Sequence, residues 1–207
     1  MRTTRTRWLD EGLDVLKSDG IDGLRIDRLA ARLGVTKGSF HHHFDGIVDY
    51  RRALLAHYEE QTRAALASAI SSRSGSGTRA TLEWLTALVA AGGDDTSDVE
   101  SGGGDESGAA AGEAGAIRRP ELDAAVRAWA HGDPEARATQ ARIDAAAIAA
   151  LQAAWRPAVE SDAAARTAAL VPYLVSLGAA AMVPPVEADE LRAVYESLLE
   201  RVPADDA

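Results

Sequence analysis

The chain contains no cysteine. That excludes a disulfide framework, a thiolate zinc site and a thiol nucleophile, and it fits a reducing, cytoplasmic setting. Aromatic residues make up only 5% of the sequence, so a core must be built mainly from Leu, Val, Ile and Ala. No uninterrupted apolar run approaches the ~18 residues of a membrane span. The opening stretch "MRTTRTRWLDEGLDVL" has basic residues but lacks the apolar segment of a signal peptide, so no membrane association is expected. Basic charge is in deficit, with a net charge of -10. The deficit is uneven. Residues 1–60 hold ten Lys/Arg and ten Asp/Glu, and the rest hold twelve and twenty-two. A neutral N-terminal part beside an acidic body can still bind an anion locally.

What is present reads as helix nearly throughout, about nine helices with no sheet and no internal repeat. The first runs over Thr4 to Ser18, where Leu9, Leu13 and Leu16 form an apolar stripe at 3.6 spacing beside Trp8 and Val15. Gly20 and Gly23 end it. "IDRLAARLG" predicts a short helix stopped by Gly34 at its C-cap. Thr36 then starts a second short helix, with its hydroxyl within reach of the backbone N–H of Gly38 or Ser39. Helix, short turn with glycine, helix is a helix-turn-helix signature. A longer helix follows over 47–72, with Ile47, Tyr50, Leu54, Tyr58, Leu66 and Ile70 on its buried side. "TRATLEWLTALVAA" reads as another. Residues 92–115 are Gly, Ser and acid with almost nothing to bury, a flexible loop by composition. Asp133 before Pro134 is a strong start signal. Ser161 opens a helix that contains Pro172, which predicts a kink. Leu191, Val194, Tyr195, Leu198 and Val202 stripe the last helix.

The chemistry concentrates in "TKGSFHHHFDG", where His41, His42 and His43 stand between the only two phenylalanines of the chain. Successive helical residues diverge by about 100°, so three adjacent histidines do not converge on one ion. Metal pairs on helices use i, i+3 or i, i+4 spacing. Ser39 lies two residues from His41, nearly the opposite face, which suits no nucleophile–base pair. No metal, cofactor or enzymatic role is therefore expected. Phe40 and Phe44, at i, i+4, would anchor the helix inward. Thr36, Lys37, Gly38, Ser39, His41 and His42 would then form an outward rim able to donate to phosphate and base edges.

The segment "GIDGLRIDRLAARLGVTKGSFHHHF" resembles the DNA-binding segment of the TetR (tetracycline-repressor) family of bacterial transcriptional regulators. The matching residues are Gly23, Leu29, Ala30, Gly34, Val35, Thr36, Phe40, His43 and Phe44, and the motif covers about residues 8–58. The stretch "AAVRAWAHGDPEARATQARID" is similar to one common after the middle of such chains. The resemblance implies that His43 takes the family's usual histidine position. His41 stands where a phosphate-donating Tyr is usual, and Ile47 where a phosphate-contacting Lys is usual. Arg25 stands at the usual Ser/Thr start of the second helix, where it could supply a compensating cation.

These readings give an all-α protein in two parts. Residues 1–46 are expected to bind double-stranded DNA at a palindromic operator through Arg25, Thr36, Lys37, Gly38, Ser39, His41, His42 and His43. Residues 47–207 are expected to bind a small-molecule effector and to dimerise through the last two helices. The resemblance implies a repressor released by that effector. Trp84, Leu88, Trp129, Trp155 and Tyr173 are the large residues most suited to line a pocket, each with a core role as the plain alternative. The rival reading is a dimeric ligand-binding or protein-interaction module with weak or lost DNA binding.

Overall fold

The computed structural model describes residues 4–71, 120–184 and 186–199, and among them eight α-helices and no strand. The sequence-predicted helix at "TRATLEWLTALVAA" and the acidic Gly/Ser segment 92–115 lie outside the described residues. The described residues fall into two compact units. One comprises residues up to Arg63 together with Glu121–Ile143, and the other comprises Ala64–Ser71 with residues from Asp144 onward.

In the first unit, α1 (Arg5–Asp19) starts where the Thr4 hydroxyl accepts from the Arg7 backbone N–H, and it ends at Gly20. Helix α2 (Ile26–Leu33) stops at Gly34, whose left-handed φ of 66° closes the helix with its N–H on the Ala30 and Ala31 carbonyls. An L side chain there would be strained. Helix α3 (Lys37–His41) follows at once, and α4 (Ile47–Ser71) begins after a short turn. Helix α5 (Pro120–Gly132) and the part of α6 (Pro134–Trp155) up to Ile143 complete the set. Their shared core holds Trp8, Leu13, Leu16, Leu29, Phe40, Phe44, Tyr50, Leu54, Tyr58, Leu122, Val126 and Trp129. The aromatics are few but concentrated. Trp8, Phe40, Phe44 and Tyr50 form one nest with ring centroids 4.9–5.4 Å apart, distances at which edge-to-face and tilted pairs attract.

Polar contacts tie α4 to α5 and α6. The Tyr58 hydroxyl bonds Asp123, and Arg142 forks onto Glu59 at 2.6–3.1 Å. Arg142 holds the Glu59 carboxyl below its usual range against the opposing effect of burial. Asp133 caps α6 by accepting from the Glu135 and Ala136 backbone N–H groups. The Ala136 bond is the largest cause of its lowered pKa. Asp133→Ala should therefore cost about 1 kcal/mol. A depressed carboxylate stabilises the fold above its unfolded pKa and stops doing so as pH falls through its folded value. That value lies below the ordinary 3.8. Thermal melts should show the gap between parent and variant at pH 7 and its narrowing as the pH falls below the ordinary carboxylate range, and a gap independent of pH would refute the cap.

In the second unit, α7 (Asp162–Ala181) starts on Ser161, whose hydroxyl accepts from Ala164 N–H, and it continues through Pro172. Helix α8 (Ala188–Leu199) packs Leu191 and Tyr195 against Ala179, and the Tyr195 hydroxyl donates to the Pro172 carbonyl at 3.0 Å. Helix α7 is two-faced. Ala165, Ala169, Ser176 and Ala179 are buried, while Val171, Leu174 (59% exposed), Gly178 and Met182 make an exposed stripe. Length and composition alone would let this helix cross a membrane, although the sequence holds no uninterrupted apolar run of that length. Its apolarity comes largely from alanine. Val194 is exposed rather than buried, so the stripe foreseen for the last helix narrows to Leu191 and Tyr195 among residues whose side chains are described.

Candidate nucleic-acid interface

Helix α3 is only five residues long and buries a single residue, Phe40. A helix this short is not stable alone, so its position is set by what grips Phe40. Trp8 meets that ring edge-on at 5.4 Å, and Phe44, one turn on, is also buried. The rest of the segment turns outward. Thr36, Lys37, Gly38, His41 and His42 are exposed, and Ser39 and His43 are half-buried. No carboxylate lies between Val35 and Phe44.

Two details differ from expectation. Thr36 occupies the N-cap position with extended backbone, but its hydroxyl caps nothing, and Ser39 N–H bonds the Thr36 carbonyl instead. The threonine hydroxyl is therefore left pointing to an exposed rim. Gly38 has room for a side chain, since an added Cβ would meet nothing closer than the Thr36 hydroxyl at 3.6 Å. A helical glycine costs about 1 kcal/mol relative to alanine, and no contact among the described residues requires it.

The three histidines diverge as their spacing requires. His41 sets its ring edge-on against Phe40, His43 lies against Phe44, and His42 is fully outward. Among the described residues no three His, Asp or Glu side chains come together to hold a metal ion.

The structure also sorts the cations, which charge counting does not. In the first unit Lys17 pairs with Glu121, Arg28 with Asp19, Arg32 with Glu11 and Arg52 with Glu135. Arg7, Arg25 and Lys37 form no ion pair among the described residues. Arg5 turns to α3 instead. Its guanidinium donates to the His43 carbonyl at 2.7 Å and sits 4.5 Å from the Phe44 ring centroid. Arg5, Arg25 and Lys37 each stand at the first or cap position of a helix, where the macrodipole disfavours a cation. Helix stability therefore does not explain these three placements. Arg25 makes no cap bond and lines an open polar groove of about 480 Å³ with Asp19, Asp22, Asp27 and Arg28, where carboxylates outnumber guanidinium groups. Arg5 and Arg7 are absent from the sequence-derived site. Their one signal is the basic opening "RTTRTR".

Three of the expected effector residues lie among the described residues. Trp129 is buried in the core of the first unit, with its indole bonded to Asp133. Trp155 and Tyr173 belong to the second unit. There the Tyr173 hydroxyl donates to Asp144 at 2.7 Å, and the half-buried Trp155 has a shielded indole N–H with no hydrogen-bond partner among the described residues. Trp84 and Leu88 lie outside the described residues.

Residues 9–49 match the sequence model of the bacterial regulatory proteins of the tetR family. Over 55 residues the chain is 34% identical to the HTH-type transcriptional regulator TtgW of Pseudomonas putida, a protein itself described as uncharacterized. That match takes in 27% of this chain and 41% of TtgW, and the chain spans less than half the length of the curated relatives it matches. The fold likeness is far longer. A transcriptional regulator from Rhodococcus sp. Rha1 superposes with a TM-score of 0.66 at 17% identity, covering 97% of this chain and 96% of that one. A transcriptional regulator from Saccharomonospora viridis, solved in complex with choline, gives 0.64 at 15% identity, covering 97% and 98%. At these identities the likeness is one of fold.

Proposed function

We propose that this chain, whose residues 9–49 match the tetR family of bacterial regulatory proteins, is a cytoplasmic, DNA-binding transcriptional repressor released from its operator by a small-molecule effector. The observation that carries the proposal is α3, a helix held by one buried phenylalanine that exposes hydroxyl, amine and imidazole groups without a carboxylate among them. Such a surface suits a polyanion with readable base edges. Arg7, Arg25 and Lys37, which form no ion pair among the described residues, and a Gly38 that packing among them does not require, support the same reading. Residues 1–46 are the operator-binding part, acting through Arg25, Thr36, Lys37, Gly38, Ser39, His41, His42 and His43. Residues 47–207 bind the effector and dimerise.

Two recognition helices entering successive major grooves need a spacing of roughly 34–36 Å, which requires a symmetric dimer. The exposed stripe Val171, Leu174, Gly178 and Met182 on α7, with Val194 on α8, supports the last two helices as that interface. Gly178 allows close helix approach. Effector contact is proposed for Trp84, Leu88, Trp129, Trp155 and Tyr173. The choline bound by the Saccharomonospora protein shows only that this fold admits small ligands. Release follows if the effector favours a state whose α3 helices no longer match the groove spacing. The proposal includes no enzymatic step.

The test is selection from a random duplex library at low salt, followed by fluorescence anisotropy at several salt concentrations. The expected result is a palindromic site with half-sites one turn apart and a steep salt dependence. Lys37→Ala should flatten the slope by about one unit. No enrichment by a folded dimer would favour the rival reading, a binding module without operator recognition.

A further inference from the structure

We propose that Arg5 is a positioning residue that sets the register of α3 against α1. The consequence for DNA rests on the reading of α3 given above, but the structural claim does not. Arg5 and Trp8 stand at i, i+3 on α1 and so share a face. Phe40 and Phe44 stand at i, i+4 across the end of α3. The two pairs meet in order, with Trp8 edge-on to Phe40 at 5.4 Å and the Arg5 guanidinium 4.5 Å from the Phe44 centroid. Arg5 then adds what an apolar contact lacks, a directional bond of 2.7 Å to the His43 carbonyl just past the end of α3. A ring nest alone tolerates rotation of a five-residue helix, whereas a bond to its trailing carbonyl does not. The Trp8 end is fixed in turn, because the Tyr50 hydroxyl donates to the Trp8 carbonyl at 2.7 Å. Arg5 is the first residue of α1, where a cation opposes the helix dipole, so its place is explained by what it does to α3.

The claim is tested on the full chain with Arg5→Ala and Arg5→Lys. Native-state amide exchange should show residues 41–44 exchanging about five- to tenfold faster in Arg5→Ala, with Leu54 and Leu55 unchanged. The ratio of affinities for a library-selected duplex over an unrelated duplex should fall by the same factor, with the salt slope held. Arg5→Lys keeps the charge but loses the planar fork, so it should not restore the ratio. If both duplexes weaken equally and the slope drops by about one, with exchange unchanged, Arg5 is a phosphate contact and the proposal is overturned. If the parent enriches no duplex, only the DNA reading fails, and the exchange result alone decides the role of Arg5.

Discussion

Phe40→Ala is expected to destabilise the N-terminal unit by about 3–5 kcal/mol and to remove selective DNA binding. Phe40 is fully buried and is the only buried residue of α3. Its ring touches Trp8, Phe44 and Tyr50 at centroid distances of 5.1–5.4 Å. Truncation therefore leaves a cavity walled by three large, rigid rings that cannot collapse, the circumstance in which the cost is highest. The helix itself buries nothing else, Thr36 makes no side-chain cap, and five residues do not sustain a helix. Phe40→Leu keeps most of the volume and should cost about 1–2 kcal/mol. His42→Ala, two residues away and exposed, should stay within about 0.5 kcal/mol. Urea titration followed by tryptophan fluorescence and by circular dichroism would measure all three. A loss below about 1 kcal/mol for Phe40→Ala would mean that α3 is held by something other than this ring. A large loss for His42→Ala would mean that the histidine run acts as a unit after all.

That contrast also shows where the sequence was readable. Thr4, Gly34, Asp133 before Pro134, and Ser161 each mark a helix end that the structure reproduces within a residue or so. Caps are local, fixed by a side chain and an N–H three residues away or by a left-handed glycine. The inward turn of Phe40 and Phe44 was equally legible, since i, i+4 spacing around polar residues admits one arrangement. Contacts across 38 or 42 residues were not. Nothing local to Arg5 shows that it bonds the His43 carbonyl, and nothing local to Arg28 or Arg32 shows that each is spent on Asp19 or Glu11. Charge counting gave a neutral N-terminal part, but which cations remain available depends on pairing in space. Large size and helical spacing put Trp129 and Trp155 on one list, and which unit each belongs to depends on packing that spacing does not encode.

Gly12→Ala carries the second large effect, and its sign runs against helix propensity. In the interior of α1, alanine should be favoured over glycine by about 1 kcal/mol. The packing reverses this. A Cβ at Gly12 would stand 1.9 Å from the Tyr50 hydroxyl oxygen, 3.0 Å from Tyr50 Cζ and 3.1 Å from Leu54 Cδ1. The hydroxyl is there because it donates to the Trp8 carbonyl at 2.7 Å, one helical turn before Gly12, which brings the phenol across the glycine. Burial pushes the Tyr50 pKa up, so the group is a protonated donor throughout the working pH range. Tyr50 cannot swing clear without giving up that bond and disturbing Phe40 and Phe44, which its ring touches at 5.4 and 4.9 Å. A net loss of about 1–3 kcal/mol is expected for Gly12→Ala. Tyr50→Phe alone should cost about 1 kcal/mol through the lost hydrogen bond. The double variant should be more stable than the two losses predict, by about 1–2 kcal/mol, because the phenylalanine removes the oxygen the new methyl strikes. Chemical denaturation of the four proteins closes the cycle, and simple additivity would mean that α1 shifts away from α4 instead. Tyr50 supports both Trp8 and the rings that seat α3, so a shift of that kind should also appear as faster amide exchange at residues 41–44. In that way a steric conflict one turn along α1 from Trp8 reaches the helix proposed to read DNA.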